Sequence, residues 1–181
     1  MGADTFIVYQ DGTDAMEAFE AAVEQAVHEH GREGFSGTIA EKDPHTDGLS
    51  VIRTPEEAVP LAEAEELAGD LLRGATVNGT VTDKYGPAGA IAVRGGQRRI
   101  RVTIPERPGG WASTREVAEN ADLPPGSVLC DSDGNPDRGP CIQGMYETDD
   151  RSGRVITGTL HIEVTGGQEH TGWVLFGNAA S

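Results

Sequence analysis

The sequence predicts a single α+β domain, built as a mostly antiparallel sheet with two main helices packed on one face. Helix signals concentrate in residues 1–74, whereas alternating β patterns fill residues 75–181. Glycine contributes 25 of the 181 residues, which indicates many turns rather than a helical bundle. A chain of this length is the usual size of one domain. We therefore expect one domain with a helix-rich part, 1–74, and a β-rich part, 75–181.

The first half begins with a strand and a long helix. Residues 5–9 (TFIVY) are strong β-formers and predict the first strand. Asp14 can cap the following helix, and Glu17 completes a capping box three positions later. Gly31 stands where a left-handed C-cap residue is expected. The apolar stripe of this helix, at three- to four-residue spacing, consists of Phe19, Val23, Ala26, Val27 and His30.

A second helix is predicted after a short strand at residues 49–53. Thr54 can cap it, Glu57 completes the capping box, and the helix ends near Gly74. Because a proline interrupts a helix, Pro60 can split off a short first turn, with the main helix starting near residue 61.

The second half is predicted as strands with one short helix. Gly95-Gly96 predicts a hairpin turn that joins strands 88–94 and 98–104. Ser113 caps a helix that runs through about residue 120. The remaining predicted strands cover residues 76–82, 128–130, 142–147, 155–164 and 173–176.

The balance of charged residues is the most informative property of the overall composition. Fourteen Lys+Arg residues stand against 30 Asp+Glu residues, a net charge of −16, and only Lys42 and Lys84 are lysines. Such a charge repels phosphate backbones and anionic membrane surfaces, so neither nucleic acid nor a membrane is expected as a direct partner. The acidity and the preference for arginine are typical of a halophilic or high-GC source. Because the carboxylates are spread along the chain, mimicry of a DNA backbone is the less favoured explanation.

No segment has the features of an export signal or a lipid anchor. The chain starts with MGADT, which is acidic, and no apolar run approaches the length of about 18 residues that spans a bilayer. A cytoplasmic protein is therefore expected.

One acidic loop has the spacing of a cation site. Asp131, Asp133, Asn135 and Asp137 offer oxygen atoms at every second position, and such oxygens can surround Ca²⁺. However, Pro136 stands where an EF-hand loop needs glycine. The favoured interpretation is a hydrated turn, with weak Ca²⁺ binding as the alternative, and no other cofactor is predicted.

Two cysteines, Cys130 and Cys141, bracket the same loop. In an oxidising compartment they could form a disulfide, whereas in a cytoplasm two reduced thiols are the favoured state. Their spacing does not predict a zinc site.

Signatures of catalysis are absent from the sequence. Neither a GxSxG nucleophile elbow nor a phosphate-binding GxxxxGK[ST] loop occurs. A hydrolase would have to use His30 or His161 with Glu41. On the apolar stripe of its helix, His30 is more typical of a buried core histidine.

Residues 83–91 (DKYGPAGAI) combine charge, an aromatic ring and glycine between two predicted strands. One interpretation is a rigid turn. The other is a ligand-binding wall, in which glycine lets the backbone approach closely, Tyr85 stacks on a ring and Lys84 pairs with an anion.

Three blocks of the sequence resemble a family of small uncharacterised proteins from high-GC bacteria and their phages. The blocks are GFSGTIAEK at 34–42, DKYGPAGAI at 83–91 and the C-terminal GWVLFGNAAS, where the family has GYTGTIAEK, DKWGPAGAI and FFGWAS. This chain departs from the family at Tyr85 and Asn178, each in place of tryptophan, and in its extra acidic loop at 131–139. The resemblance implies a shared fold and a shared site, but no activity is assigned to the family.

We expect the three blocks to meet at one ligand-binding pocket. Its residues would be Glu41, Lys42, Lys84, Tyr85 and Trp173. Two lysines beside aromatic rings suit a small anionic or nucleotide-like ligand. The favoured hypothesis is a non-enzymatic binding protein, such as an accessory protein of a phage or mobile element. The alternatives are an acidic protein–protein interaction module, which could also self-associate as a homo-oligomer, and a hydrolase.

Overall fold

The computed structural model describes residues 3–31, 36–74, 83 and 85–180, and the chain divides into two compact units. Unit 1 comprises residues 1–96 and 169–181, and unit 2 comprises residues 97–168. In chain order the elements are β1 (Ala3–Asp11), α1 (Ala15–His30), β2 (Leu49–Arg53), β3 (Val59–Pro60), α2 (Leu61–Leu72), β4 (Ala88–Arg94), β5 (Arg98–Thr103), α3 (Thr114–Glu119), β6 (Ser127–Leu129), β7 (Ile142–Thr148), β8 (Val155–Gly166) and β9 (His170–Ala180). Two 3-10 turns, Ile39–Glu41 and Pro55–Glu57, complete the list.

Unit 1 is built on a five-stranded sheet in the order β1-β9-β4-β2, with the short β3 also paired to β4. The β1–β9 and β9–β4 pairs are antiparallel, whereas β2 and β3 run parallel to β4. Unit 2 has a separate four-stranded sheet whose pairs are all antiparallel. Mixed α and β content with mostly antiparallel pairing confirms the predicted α+β class.

The two main helices lie on opposite faces of the sheet in unit 1, so the prediction that both pack on one face was wrong. On β4, the alanines at 88, 90 and 92 belong to the core cluster that contains the buried face of α1. The intervening Ile91 and Val93 belong to the cluster that contains the buried face of α2. The first six residues of β4 are all buried. A continuous apolar run of this kind is typical of a strand that is covered on both faces.

Both ends of α1 follow the predicted capping signals, whereas Thr54, which was predicted to cap the second helix, makes no side-chain capping hydrogen bond. Asp14 accepts hydrogen bonds from the amides of Met16 (2.9 Å) and Glu17 (3.0 Å). Gly31 has φ 79° at the C-cap, a left-handed value that favours glycine. The chain before α2 forms the separate 3-10 turn, so the helix starts at Leu61 as the proline predicted.

In unit 2, the central β8 pairs with β5 on one side and with β6 and β7 on the other. One face of this sheet packs against α3, where Val117 and Ala118 contact a core that includes Leu160 and Ile162. Ser113 caps α3 by accepting from the amide of Glu116 at 3.2 Å, as predicted.

The predicted hairpin between β4 and β5 does not form, because the two strands belong to different sheets. The burial of the two strands differs accordingly: β4 is buried on both faces, whereas half-buried and exposed residues alternate along β5. Gly95, directly after β4, has φ 67°, a left-handed value that favours glycine. The predicted strand 76–82 lies outside the described residues. None of the helices in the described ranges has the length and apolarity needed to cross a membrane.

Candidate functional site

Lys42, which was predicted to bind the ligand, points into the protein. Its side chain is 3% exposed, and its Nζ donates to the carbonyl oxygens of Gly86 (2.8 Å) and Asp83 (3.5 Å). Burial lowers the pKa of this ammonium group, and the carboxylates of Asp47 and Asp83 oppose the shift. The first and second blocks are therefore adjacent, but Lys42 joins them as a structural contact.

Tyr85, the aromatic residue of the second block, faces outward, whereas residues 88–91 of the same block are buried in β4. The side chain of Tyr85 is 66% exposed, and its amide donates to the Asp83 carboxylate at 3.0 Å. The amide of Gly86 also donates to the Asp83 carbonyl, at 2.9 Å. Lys84 lies outside the described residues.

Trp173 is buried on the α1 side of the sheet, at 3% exposure. Its ring meets that of His170 edge to face, with centroids 4.9 Å apart. Three buried nitrogen atoms in this region have no hydrogen-bond partner in the described structure: Trp173 Nε1, His170 Nε2 and Arg94 Nε. Arg94 and His170 stand opposite each other in the β4–β9 register. Arg94 and His170 were not among the predicted site residues, although an arginine at the end of an apolar strand is a local signal that could have indicated them.

A cleft of about 590 Å³ lies between α1 and residues 40–45, and we call it the acidic cleft. It is lined by Glu20, Val23, Glu24, Val27, Ala40, Glu41, Lys42, Asp43, Pro44 and His45. The wall opposite α1 is ordered by hydrogen bonds. Glu41 accepts from the amide of Ser36 at 2.9 Å, and Asp43 accepts from that of His45 at 2.9 Å, which lowers the pKa of the Asp43 carboxyl. The cleft thus presents four carboxylates, while the Lys42 ammonium is directed at backbone carbonyls.

The residues proposed for a hydrolase belong to different parts of the structure: His30 and Glu41 line different clefts of unit 1, and His161 lies in unit 2. His30 is exposed at the end of α1, so the prediction that it is a buried core histidine was wrong. It lines a groove beside β1, whereas Glu41 lines the acidic cleft. His161 is exposed on β8 of unit 2.

In the loop predicted as a weak Ca²⁺ site, side-chain oxygens accept hydrogen bonds from backbone amides of the same loop. Asp131 accepts from the amides of Asp133 (2.9 Å) and Asn135 (2.8 Å), and Asn135 accepts from that of Asp137 (2.9 Å). These backbone donors and nearby Arg138, whose Nη1 lies 3.6 Å from the carboxylate, hold the pKa of Asp131 below its usual value. Within the described part of the chain, no group of three or more His, Cys, Asp or Glu side chains is placed to hold a metal ion.

Both cysteines beside this loop are free thiols. The amide of Cys141 donates to the carbonyl of Cys130 at 2.9 Å. Burial is the main cause that raises the pKa of the Cys130 thiol, and the nearby Glu163 carboxylate raises this pKa further. A raised pKa leaves little thiolate at neutral pH, so this cysteine has the features of a packing residue.

The negative charge is concentrated in one unit. Unit 1 contains 6 Lys+Arg and 19 Asp+Glu residues, a net charge of −13. Unit 2 contains 8 and 11, a net charge of −3. The acidic cleft therefore belongs to the unit that carries most of the charge.

Comparison of the chain with protein-family models, curated proteins and solved structures gives no match. The resemblance through the three sequence blocks stays a prediction.

Proposed function

We propose that this chain is a non-enzymatic interaction protein whose acidic cleft binds a basic segment of a partner protein. The observation that carries the proposal is the composition of the cleft. Glu20 and Glu24 on α1 face the acidic segment 41–43, and the one lysine among the lining residues donates to backbone carbonyls. A cleft with this charge attracts lysine and arginine side chains and repels anions.

The charge of unit 1 supports the same class of partner. A net charge of −13 on one unit raises the local concentration of cations and speeds the association of a basic protein. Because these charges are exposed, salt screens them, and we expect the association to weaken as ionic strength rises.

Binding of a basic probe peptide tests the proposal. The double variant Glu20→Gln/Glu24→Gln removes two cleft charges while both side chains keep their size. We expect it to raise the Kd of a labelled Arg/Lys-rich peptide about 3- to 30-fold, since each exposed pair contributes up to about 1 kcal/mol. Fluorescence anisotropy at several salt concentrations measures this change.

The matched control is Glu63→Gln/Glu65→Gln on α2, where both side chains are exposed on the opposite face of the sheet. It changes the net charge by the same amount away from the cleft. Equal losses in the two double variants would mean that the peptide responds only to net charge and would contradict a cleft-specific site.

A small anionic ligand is the second candidate, because of the partnerless nitrogens of Arg94, His170 and Trp173. Buried N–H groups are nearly always paired, and a carboxylate or phosphate oxygen would pair with the Arg94 Nε–H and the Trp173 Nε1–H. The anion site proposed here is at Arg94 and Trp173, whereas the sequence predicted an anion site at the two lysines.

Calorimetric titration with inorganic phosphate and with AMP tests the second candidate. We expect Arg94→Gln to weaken binding at least tenfold, because a charge-assisted hydrogen bond contributes about 1.5–3 kcal/mol. Arg53→Gln, at an exposed arginine of the same unit, should leave binding unchanged. Absence of heat with both anions, or equal losses in both variants, would rule this site out.

A further inference from the structure

On one side of the first strand, no strand of the described residues is paired with it, and we call this side the open edge. Among the described residues, β1 pairs only with β9, in one continuous antiparallel register from Ala3 to Asp11. The amide of Gly12 donates to the carbonyl of Thr171 in that same register. Peptide groups along an antiparallel strand point alternately toward and away from the neighbouring strand. The even-numbered residues of β1 therefore bond to β9, and the peptide groups of Thr5 and Ile7 face the open edge.

The open edge borders a groove of about 360 Å³ between β1 and α1, which we call the edge groove. Natural edge strands are commonly protected by a lysine, a proline or a bulge. β1 has none of these over its nine residues, and Ile7 is 41% exposed in the middle of its apolar run. This edge therefore has the features of a strand that pairs with another chain.

We infer that the occupant of this edge is the β1 of a second copy, paired antiparallel about a two-fold axis at Ile7. In this register Ile7 stands opposite itself, and Thr5 stands opposite Tyr9 of the second copy. The pairing joins the two five-stranded sheets of unit 1 into one. Main-chain hydrogen bonds then supply the affinity, as in other strand additions.

The charges of β1 fit this register. Asp4 stands opposite Gln10 of the second copy, and Asp11 stands opposite Ala3. Two carboxylates directly opposite each other would destabilise the strand pair, and in this register no carboxylate of β1 faces another one. The net charge of −16 on each copy opposes approach at low salt, so dimerisation should strengthen as salt screens it. Binding of a basic peptide in the acidic cleft has the opposite salt dependence, so the two proposals can fail separately.

Sedimentation equilibrium of the full chain tests the dimer. We expect a mass of twice 19.0 kDa at moderate salt. Ile7→Lys and Ile7→Glu should each weaken association at least tenfold, because they place like charges opposite each other at the two-fold axis. An equimolar mixture of the two variants should restore the dimer, because lysine then faces glutamate. Val51→Lys, an exposed position on β2 at the other edge of the sheet, is the matched control and should dimerise like the wild type.

Hydrogen exchange gives a second readout that needs no variant. The amides of Thr5 and Ile7 should become protected as protein concentration rises, while the even-numbered amides of β1 stay protected throughout. A wild-type chain that stays monomeric at all salt concentrations would overturn the inference. So would a dimer that is insensitive to Ile7→Lys, or a mixture of the two variants that stays monomeric. Capture of a different protein, lost in Ile7→Lys, would show that another chain occupies the edge.

Discussion

Gly89→Ala is expected to lower the free energy of unfolding by about 3 kcal/mol, because it overpacks the centre of the sheet in unit 1. Gly89 stands opposite Phe176 in the β4–β9 register, and the ring of Phe176 lies directly against the glycine Cα. A methyl group there would collide with the ring and lie only 2.9 Å from Phe176 Cε2. Phe176 is fully buried, so its ring can move only by displacing its neighbours.

Gly69→Ala on α2 is the matched control for this substitution. The methyl group there meets only the flexible end of Arg73, and alanine is the better helix former by about 1 kcal/mol. We therefore expect Gly69→Ala to stabilise the protein slightly. Urea denaturation measures both changes, and a Gly89→Ala protein as stable as the wild type would contradict the packing of Phe176 on Gly89.

The local signals in the sequence were sufficient to predict both ends of α1. Asp14 and Gly31 act within four residues of the groups that they cap, so the spacing alone predicts the bonds. The pairing of strands was harder to predict, because it joins distant segments. The last strand inserts between β1 and β4, and no local pattern carries that information. The continuous apolar run of β4 did carry a signal that both faces are covered.

The candidate site was also predictable only in part, because its contacts join segments that are distant in the sequence. One interpretation of residues 83–91 assigned their glycines to the approach of a ligand, but the group that needs the space at Gly89 is Phe176, 87 positions later. Lys42 was attributed to an anion, but its acceptor is the carbonyl of Gly86. The acidic cleft had a local signal that could have been used. Glu20 and Glu24 are four residues apart on one helix, where like charges are unfavourable unless a partner compensates them.

Lys42→Met is the second substitution with a large expected effect, and it separates a structural lysine from a ligand-binding one. Methionine keeps the apolar stem but leaves the partly buried carbonyl of Gly86 without its donor. An unsatisfied buried acceptor costs about 1–3 kcal/mol, and we expect a loss of stability of that size. Arg53→Met, at an exposed cation of the same unit, should change stability by less than about 0.5 kcal/mol.

The pH dependence of this loss follows from the pKa of Lys42, which burial lowers below its ordinary value of 10.5. Between the lowered pKa and 10.5, the unfolded chain keeps the Lys42 proton and the folded chain releases it. Stability conferred by this residue therefore rises with pH across that window, so the difference between wild type and Lys42→Met should widen as pH approaches 10.5. Urea denaturation from pH 7 to 10 measures it. A fully stable Lys42→Met protein that has lost phosphate binding would instead restore Lys42 as a ligand-binding residue, and with it the anionic-ligand hypothesis.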